Sequence, residues 1–245
     1  MAKTAANVLR VYLDEFAISG YTNNSQMTVD QETLVTTCFE DAGPRRLVGN
    51  YDVMHDDAGF FEGGAGLFDV QLDGLIDDND HYLTKLPNGS AENSVAYDSV
   101  VRLTGKPMSA QAAGAILLKV ASAGANGLVR GLVLGSATVS GAGDRTGRNQ
   151  GATTLGQIYA VQFRVITFSG TNIVLKIQES SDDASADAYA DISGLTSGTL
   201  TAAGVVRATT TAATEAWKRV NISTPGGFTS AVILVTAGVV AGSAA

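Results

Sequence analysis

The feature that most constrains this chain is a rhythm: from Val95 onward, short runs of β-prone residues alternate with Gly-, Ser- or Asp-rich breaks. β-Branched and aromatic side chains suit a pleated, half-buried surface, while glycine and small polar residues make the turns between strands. The pattern predicts strands over Ala96–Thr104, Ala115–Ala121, Gly127–Val139, Gln157–Phe168, Ile173–Ser180, Thr199–Thr209, Trp217–Ile222 and Phe228–Val240. Short strands at such spacing point to an all-β sandwich or barrel. No short fixed period recurs, which argues against solenoids and propellers.

The first half reads similarly until residue 67. Val8–Leu13 is a strand candidate, Asp14 to Tyr21 turns into a second, and Gln26–Gln31 alternates with period two. Thr33–Phe39 stays β-prone, Glu40 to Arg46 breaks the pattern with Gly43 and Pro44, and Asn50–Phe61 resumes it. Between Leu67 and Leu86 the period changes. Phe68, Leu72, Leu75 and Ile76 fall at i, i+4, i+7 and i+8, predicting one flanking α-helix over about residues 67–86 with its acidic residues on the other face. The fold class is therefore mainly β. Ser140 to Thr154 is the longest irregular stretch, either a mobile loop or a boundary, and the part after about residue 150 is a candidate second β module.

Charged residues make up only 16% of the chain, against roughly a quarter in an average soluble protein. Interface cores are depleted in charge, so the scarcity fits either a surface covered by identical neighbours or a β-sandwich clothed in Thr and Ser. The formal net charge of -8, with no Lys/Arg cluster, argues against wrapping nucleic acid by phosphate neutralisation. Cys38 is the single cysteine, excluding an intrachain disulfide and a cysteine-based zinc cluster and permitting assembly in a reducing cytoplasm. MAKTAANVLR lacks the apolar stretch of a secretory signal. Ala231 to Val240 is shorter than the ~20 residues of a spanning helix and reads as a buried strand, so no membrane is expected.

The search for chemistry finds structural explanations. His55 precedes Asp56 and Asp57, and His81 follows Asp77, Asp78 and Asp80, but an exposed acidic loop or helix face accounts for both clusters without a metal. Asp77 to Asp80 lacks the glycine and the closing glutamate of a calcium loop. Cys38 has the flanks of a buried strand. Gly63–Gly66 and Gly141–Gly143 lack the endings of phosphate or dinucleotide loops and read as turns. Trp217 reads as a core or interface anchor, although with Tyr189 it also motivates a carbohydrate- or host-binding sandwich. No catalytic residues, no metal and no cofactor are expected.

Ile18-Ser-Gly-Tyr21, Thr37-Cys-Phe-Glu-Asp41, Arg45-Arg46 and Gly49-Asn-Tyr-Asp52 occur in the order that opens the tail tube proteins of long-tailed, non-contractile bacteriophages, and the chain resembles that family. Val174 to Asp183, Arg219 to Ile222 and Phe228 to Val235 look like its closing strands. The resemblance implies a β-sandwich with a flanking helix that assembles into stacked, usually hexameric rings. It implies partners too: further copies of the chain, the tape measure, terminator and distal tail proteins, and DNA sliding through the lumen without specific binding. The product would be a virion component assembled in the host cytoplasm and serving genome ejection. Within Asp41 to Gly66, a loop long enough to reach a neighbour, Arg45, Arg46, His55, Asp56 and Asp57 form a candidate subunit-contact loop. A capsid decoration protein, or another virion protein, is the alternative within the same class.

Overall fold

The computed structural model describes residues 8–20, 22–35, 46–60, 73, 75, 79–105, 108–110, 116–223 and 226–241. In chain order the strands are β1 (Arg10–Leu13), β2 (Phe16–Ala17), β3 (Thr22–Val35), β4 (Arg46–Phe60), β5 (His81–Leu86), β6 (Val95–Gly105), β7 (Met108–Ala110) and β8 (Ile116–Val139). They continue with β9 (Gly143–Asp144), β10 (Arg148–Asn149), β11 (Tyr159–Gly170), β12 (Val174–Ser180), β13 (Ala190–Thr196), β14 (Gly204–Thr210), β15 (Trp217–Ser223) and β16 (Phe228–Val240). A 3-10 turn at Ile18–Gly20 stands among the strands, and Asp73 is helical. The fold is thus mainly β, as the spacing predicts.

Of the helix expected over residues 67–86, Asp73 is helical, Leu75 lies in a turn, residues 67–72, 74 and 76–78 lie outside the described residues, and His81–Leu86 is strand β5. The reason is pairing. Leu83 to Leu86 run antiparallel to Leu13 to Arg10 of β1, and these cross-strand bonds make the end of the expected segment a strand. The Asp14 turn before them holds a positive φ of 47°, which Asp tolerates better than most residues, and its carboxylate Oδ1 accepts the Tyr82 N–H at 2.8 Å.

A second correction concerns the strands expected over Ala115–Ala121 and Gly127–Val139: residues 116–121 and 127–139 belong to one strand, β8, and Ala115 lies outside the described residues. The small residues Ser122 to Asn126 read as a turn, yet they stay extended, and Gly127 absorbs the local bend with a φ of 28°.

The chain divides into two compact units whose boundaries fall after Gly20 and within β5, β6 and β8. The first comprises residues 1–20, 82–98 and 129–245 and contains two sheets. One sheet runs β14-β11-β16-β8-β6-β5-β1-β2, and the other runs β10-β15-β12-β13, with β9 also on β15. Their facing sides build the core. Tyr159, Val161, Phe163 and Val165 of β11 and Ile233, Val235 and Ala237 of β16 pack against Leu175 and Ile177 of β12 and Val220 and Ile222 of β15. Fully burying each large apolar side chain contributes about 1.5–3 kcal/mol.

β11 is buried on both faces from Tyr159 to Val165. Its second face carries Gln162 and Arg164, which are covered because the first sheet curls. β11 and β5 are four strands apart in that sheet, about 19 Å if it were flat. Arg164 Nη1 nevertheless donates to Thr84 Oγ1 of β5 at 2.9 Å. A small apolar cluster of Tyr12, Leu86, Ala96, Val133 and Leu234, with Ile166 against it, fills the same hollow.

The second unit, residues 21–81 and 99–128, centres on a ribbon in which β3 pairs with β4 from Thr22–Gly59 to Val35–Arg46. β4 continues onto the first part of β8 over Met54 to Phe60, and β7 borders β8.

A close backbone approach in the first unit joins Gly131 of β8 to Gly238 of β16, which are register partners. A Cβ on Gly131 would meet the Ala237 carbonyl oxygen at 1.9 Å and the Gly238 Cα at 2.9 Å. Gly131→Val is therefore expected to lower stability by about 1–3 kcal/mol, read as a reduced denaturation midpoint in urea, whereas Gly141→Ala, which meets nothing within 4 Å, leaves it unchanged.

Candidate functional site

The residues expected in a contact loop occupy a strand. Arg46, His55, Asp56 and Asp57 belong to β4, and Arg45 lies outside the described residues. Strand alternation separates the others. Val53, His55 and Asp57 face inward and are buried, while Asp52, Met54 and Asp56 take the outward phase. The β character expected from Asn50 to Phe61 is therefore present, while the contact-loop reading of Asp41 to Gly66 took its acids as solvated, and Asp57 lies on the covered face.

His55 Nε2 lies 2.8 Å from Ser99 Oγ, with Asp57 two residues on along the same face, which superficially resembles a nucleophile, base and acid. Nucleophilic chemistry needs substrate access to the hydroxyl, and Ser99 is 1% exposed and His55 2% exposed. The pair is a packed, hydrogen-bonded core contact. His81 is buried at the start of β5, and Asp80 is exposed, with Arg102 Nε donating to its Oδ1 at 2.9 Å. Asp77, Asp78, Cys38 and Gly63–Gly66 lie outside the described residues. Among the described residues no group of three or more His, Cys, Asp or Glu could hold a metal ion.

Ser140 to Thr154 is strapped down within the first unit rather than loose. Its short strands β9 and β10 pair with β15, and Thr153 bridges Thr214. Glu92, in the turn between β5 and β6, accepts from Arg145 Nη2 at 2.5 Å and from Arg148 Nη2 at 2.9 Å. Burial pushes the Glu92 carboxyl up, but the two guanidinium groups more than offset this and hold it below its ordinary value.

The strap's inner anchor is Lys218. On β15 the inward phase is Lys218, Val220 and Ile222, so a lysine occupies a core position at 0% exposure while Trp217 takes the half-buried outward phase. Its ammonium donates to the Gly151 carbonyl at 2.7 Å and to the Glu215 carbonyl, and it sits 5.1 Å from the centre of the Tyr159 ring. Tyr159 OH donates to Gln150 Oε1, and Gln150 Nε2 donates to the Ala237 carbonyl at 3.0 Å. A cavity of about 310 Å³ beside these residues, lined also by Arg130, Leu132 and Val239, therefore meets an amide and a phenol already engaged with the protein. Alternation marks position 218 as inward, but composition alone gives no reason to expect a lysine there.

The glycan-binding reading fares similarly. The Arg219 guanidinium lies 4.2 Å above the Tyr189 ring and Tyr189 OH donates to Asp183 Oδ1 at 2.6 Å, so one face of that ring is already stacked. The acidic stretch around it folds on itself: Asp182 accepts backbone N–H groups from Ser185, Ala186 and Asp187.

Burial lowers the Lys218 pKa from 10.5 to about 8, with Glu179 and Glu215 opposing the shift. The unfolded chain then binds the extra proton between pH 8 and 10.5, so stability rises with pH across that window. Lys218→Met lacks this titration. In urea melts, wild type is expected to gain stability relative to Lys218→Met as pH rises from 8 to 10.5, and a constant difference would contradict the burial of the charge.

No protein-family model matches the chain, and no curated protein matches it. Among solved structures it is similar to a chain of the virion of a native gene transfer agent particle, at 17% identity and a TM-score of 0.43, covering 52% of this chain and 98% of that one. It is also similar to the Dit protein of SPP1, described as a paradigm of the hub adsorption apparatus in phages infecting Gram-positive bacteria. There the identity is 9% and the TM-score 0.35, covering 94% of this chain and 98% of that one. At such TM-scores neither likeness assigns the chain to a family.

Proposed function

We propose that the chain is a structural subunit of a phage virion that assembles with copies of itself into stacked rings forming the tail tube. The observation that carries this reading is the β3–β4 ribbon. Its strands are 14 and 15 residues long, roughly 45 Å at strand rise. β8 covers β4 only from Met54 to Phe60, so among the described residues Gln31–Val35 and Arg46–Tyr51 pair with nothing but each other.

A two-stranded ribbon is marginal in water, and its open edge is a template for further strands. A second copy supplies both the missing pairing and the missing cover. Val29 at 40% exposure and Met54 at 50% give the ribbon apolar surface for that contact. Asp30 lies directly opposite Asp52, a like-charge pair that disfavours the isolated ribbon and favours a cationic neighbour. The sequence motifs from Ile18 to Asp52 coincide with this region, and the net charge of -8 suits a conduit along which DNA slides without sticking. The reading assigns the chain no catalysis.

Negative-stain imaging of purified protein at several concentrations is expected to reveal hollow tubes or stacked rings. Trimers that never stack would favour the capsid-decoration alternative, and monomers at every concentration would overturn the proposal. Met54→Glu is expected to raise the concentration needed for assembly about tenfold or more, measured by sedimentation, with the thermal melt of the monomer unchanged.

A further inference from the structure

Two glycines form one wall of the cavity beside the strap. Gly131 of β8 and Gly238 of β16, register partners without side chains, line it together with the apolar Val95, Leu132 and Val239. At about 310 Å³ it stands at the lower end of the roughly 300–1,000 Å³ of small-ligand pockets, a size that takes a side chain. Its Gln150 and Tyr159 are already hydrogen-bonded within the protein, so the charged group it leaves for an incoming side chain is Arg130.

Arg130 differs from the other surface cations. Arg102, Arg145, Arg148, Lys176 and Arg219 each hold a carboxylate. Arg130 is exposed, and among the described residues it holds none. A guanidinium at the rim of an apolar hollow matches an apolar side chain flanked by acid. The outward phase of β4 carries that combination: Met54, 50% exposed, stands between Asp52 and Asp56, each about 7 Å away along the strand. Asp30, opposite Asp52 on β3, adds a further carboxylate to the same face. Leu155 is more exposed, at 78%, but its neighbours Thr154 and Gly156 offer the guanidinium no charge.

We propose that Met54 of one copy seats in this cavity of a second copy, with Arg130 at the rim taking the Asp52 carboxylate. The contact rests on the tail-tube reading and names the surface of the next copy that covers the ribbon. Methionine is unbranched and adapts to an irregular hollow. Pairing Asp52 with Arg130 also relieves its repulsion from Asp30, which the isolated ribbon bears. The inserted side chain belongs to the second unit and the cavity to the first. The contact therefore joins two different surfaces, and a heterologous contact of this kind repeats head to tail, as a stack of rings requires.

Arg130→Glu is expected to raise the concentration needed for assembly about tenfold or more in sedimentation, with the thermal melt of the monomer unchanged. Asp52→Lys is expected to do the same, and the two substitutions together in one chain to restore assembly. If wild type assembles and Arg130→Glu assembles equally well, or if the double variant is no better than either single one, this contact is overturned while the tail-tube reading stands. Wild type that stays monomeric at every concentration overturns both. A second measurement is independent of the charge variants. Copies carrying Met54→Cys are mixed with copies carrying Val95→Cys, and mild oxidation of the assembled protein is expected to join the two introduced thiols, identified by peptide mass spectrometry. Introduced thiols that join only to Cys38, or to nothing, overturn the contact.

Discussion

The buried guanidinium of Arg164 is the interaction on which the first unit depends. It is fully enclosed, and a charge so placed is tolerable only when its donors are met and opposite charge is near. The donors reach the Asp14 carbonyl, Thr84 Oγ1 at 2.9 Å and the Tyr82 carbonyl at 3.1 Å, while the group lies 5.4 Å from the centre of the Tyr12 ring. Those partners sit on β1, β5 and the turns beside them, so satisfying one side chain of β11 requires the sheet to curl. Burial still dominates: it lowers the Arg164 pKa to about 10, with Asp98 and Asp14 opposing, and raises that of Asp98. Removing either partner would strand the other's charge in a medium that cannot solvate it.

The same logic recurs on the opposite face of that sheet. Lys218 takes a core position and is met by backbone carbonyls of the Ser140 to Thr154 strap and its neighbour, while Glu92 ties Arg145 and Arg148 from outside. In a chain with few charges, several of the charged groups are spent as internal fasteners. On the β3–β4 ribbon the outward phase of β4 carries Asp52, Met54 and Asp56, and it is there that the assembly reading finds its surface.

Much of the strand framework was legible. Phe228–Val240 and the start of β15 at Trp217 coincide with the expected bounds, and β6, β11, β12 and β14 differ at their ends by a few residues, because β-branched runs bounded by Gly, Ser or Asp leave little alternative. β13 was not legible: Ala190 to Thr196 holds Asp, Ser and Gly, and only its pairing with β12 makes it a strand. The fate of His81–Leu86 was hidden similarly, since it was joined to the helical spacing of Phe68, Leu72, Leu75 and Ile76 before it, and β1 makes it a strand. The burial of His55 and Asp57 was hidden for a simpler reason. Acids read as solvated, yet strand phase alternates regardless of charge.

The sequence by itself determined the class: mainly β and short of charge. Those properties are local, set by propensity, turn chemistry and composition. Tertiary structure alone decided which polar residues go inside, that Arg164, Lys218, Asp98 and Gln162 are buried while Val29 and Met54 are left out, because burial depends on which strands are brought face to face. Strand pairing and sheet curl join residues such as Asp14 and Arg164 that lie far apart in the chain, and no local pattern encodes that closure.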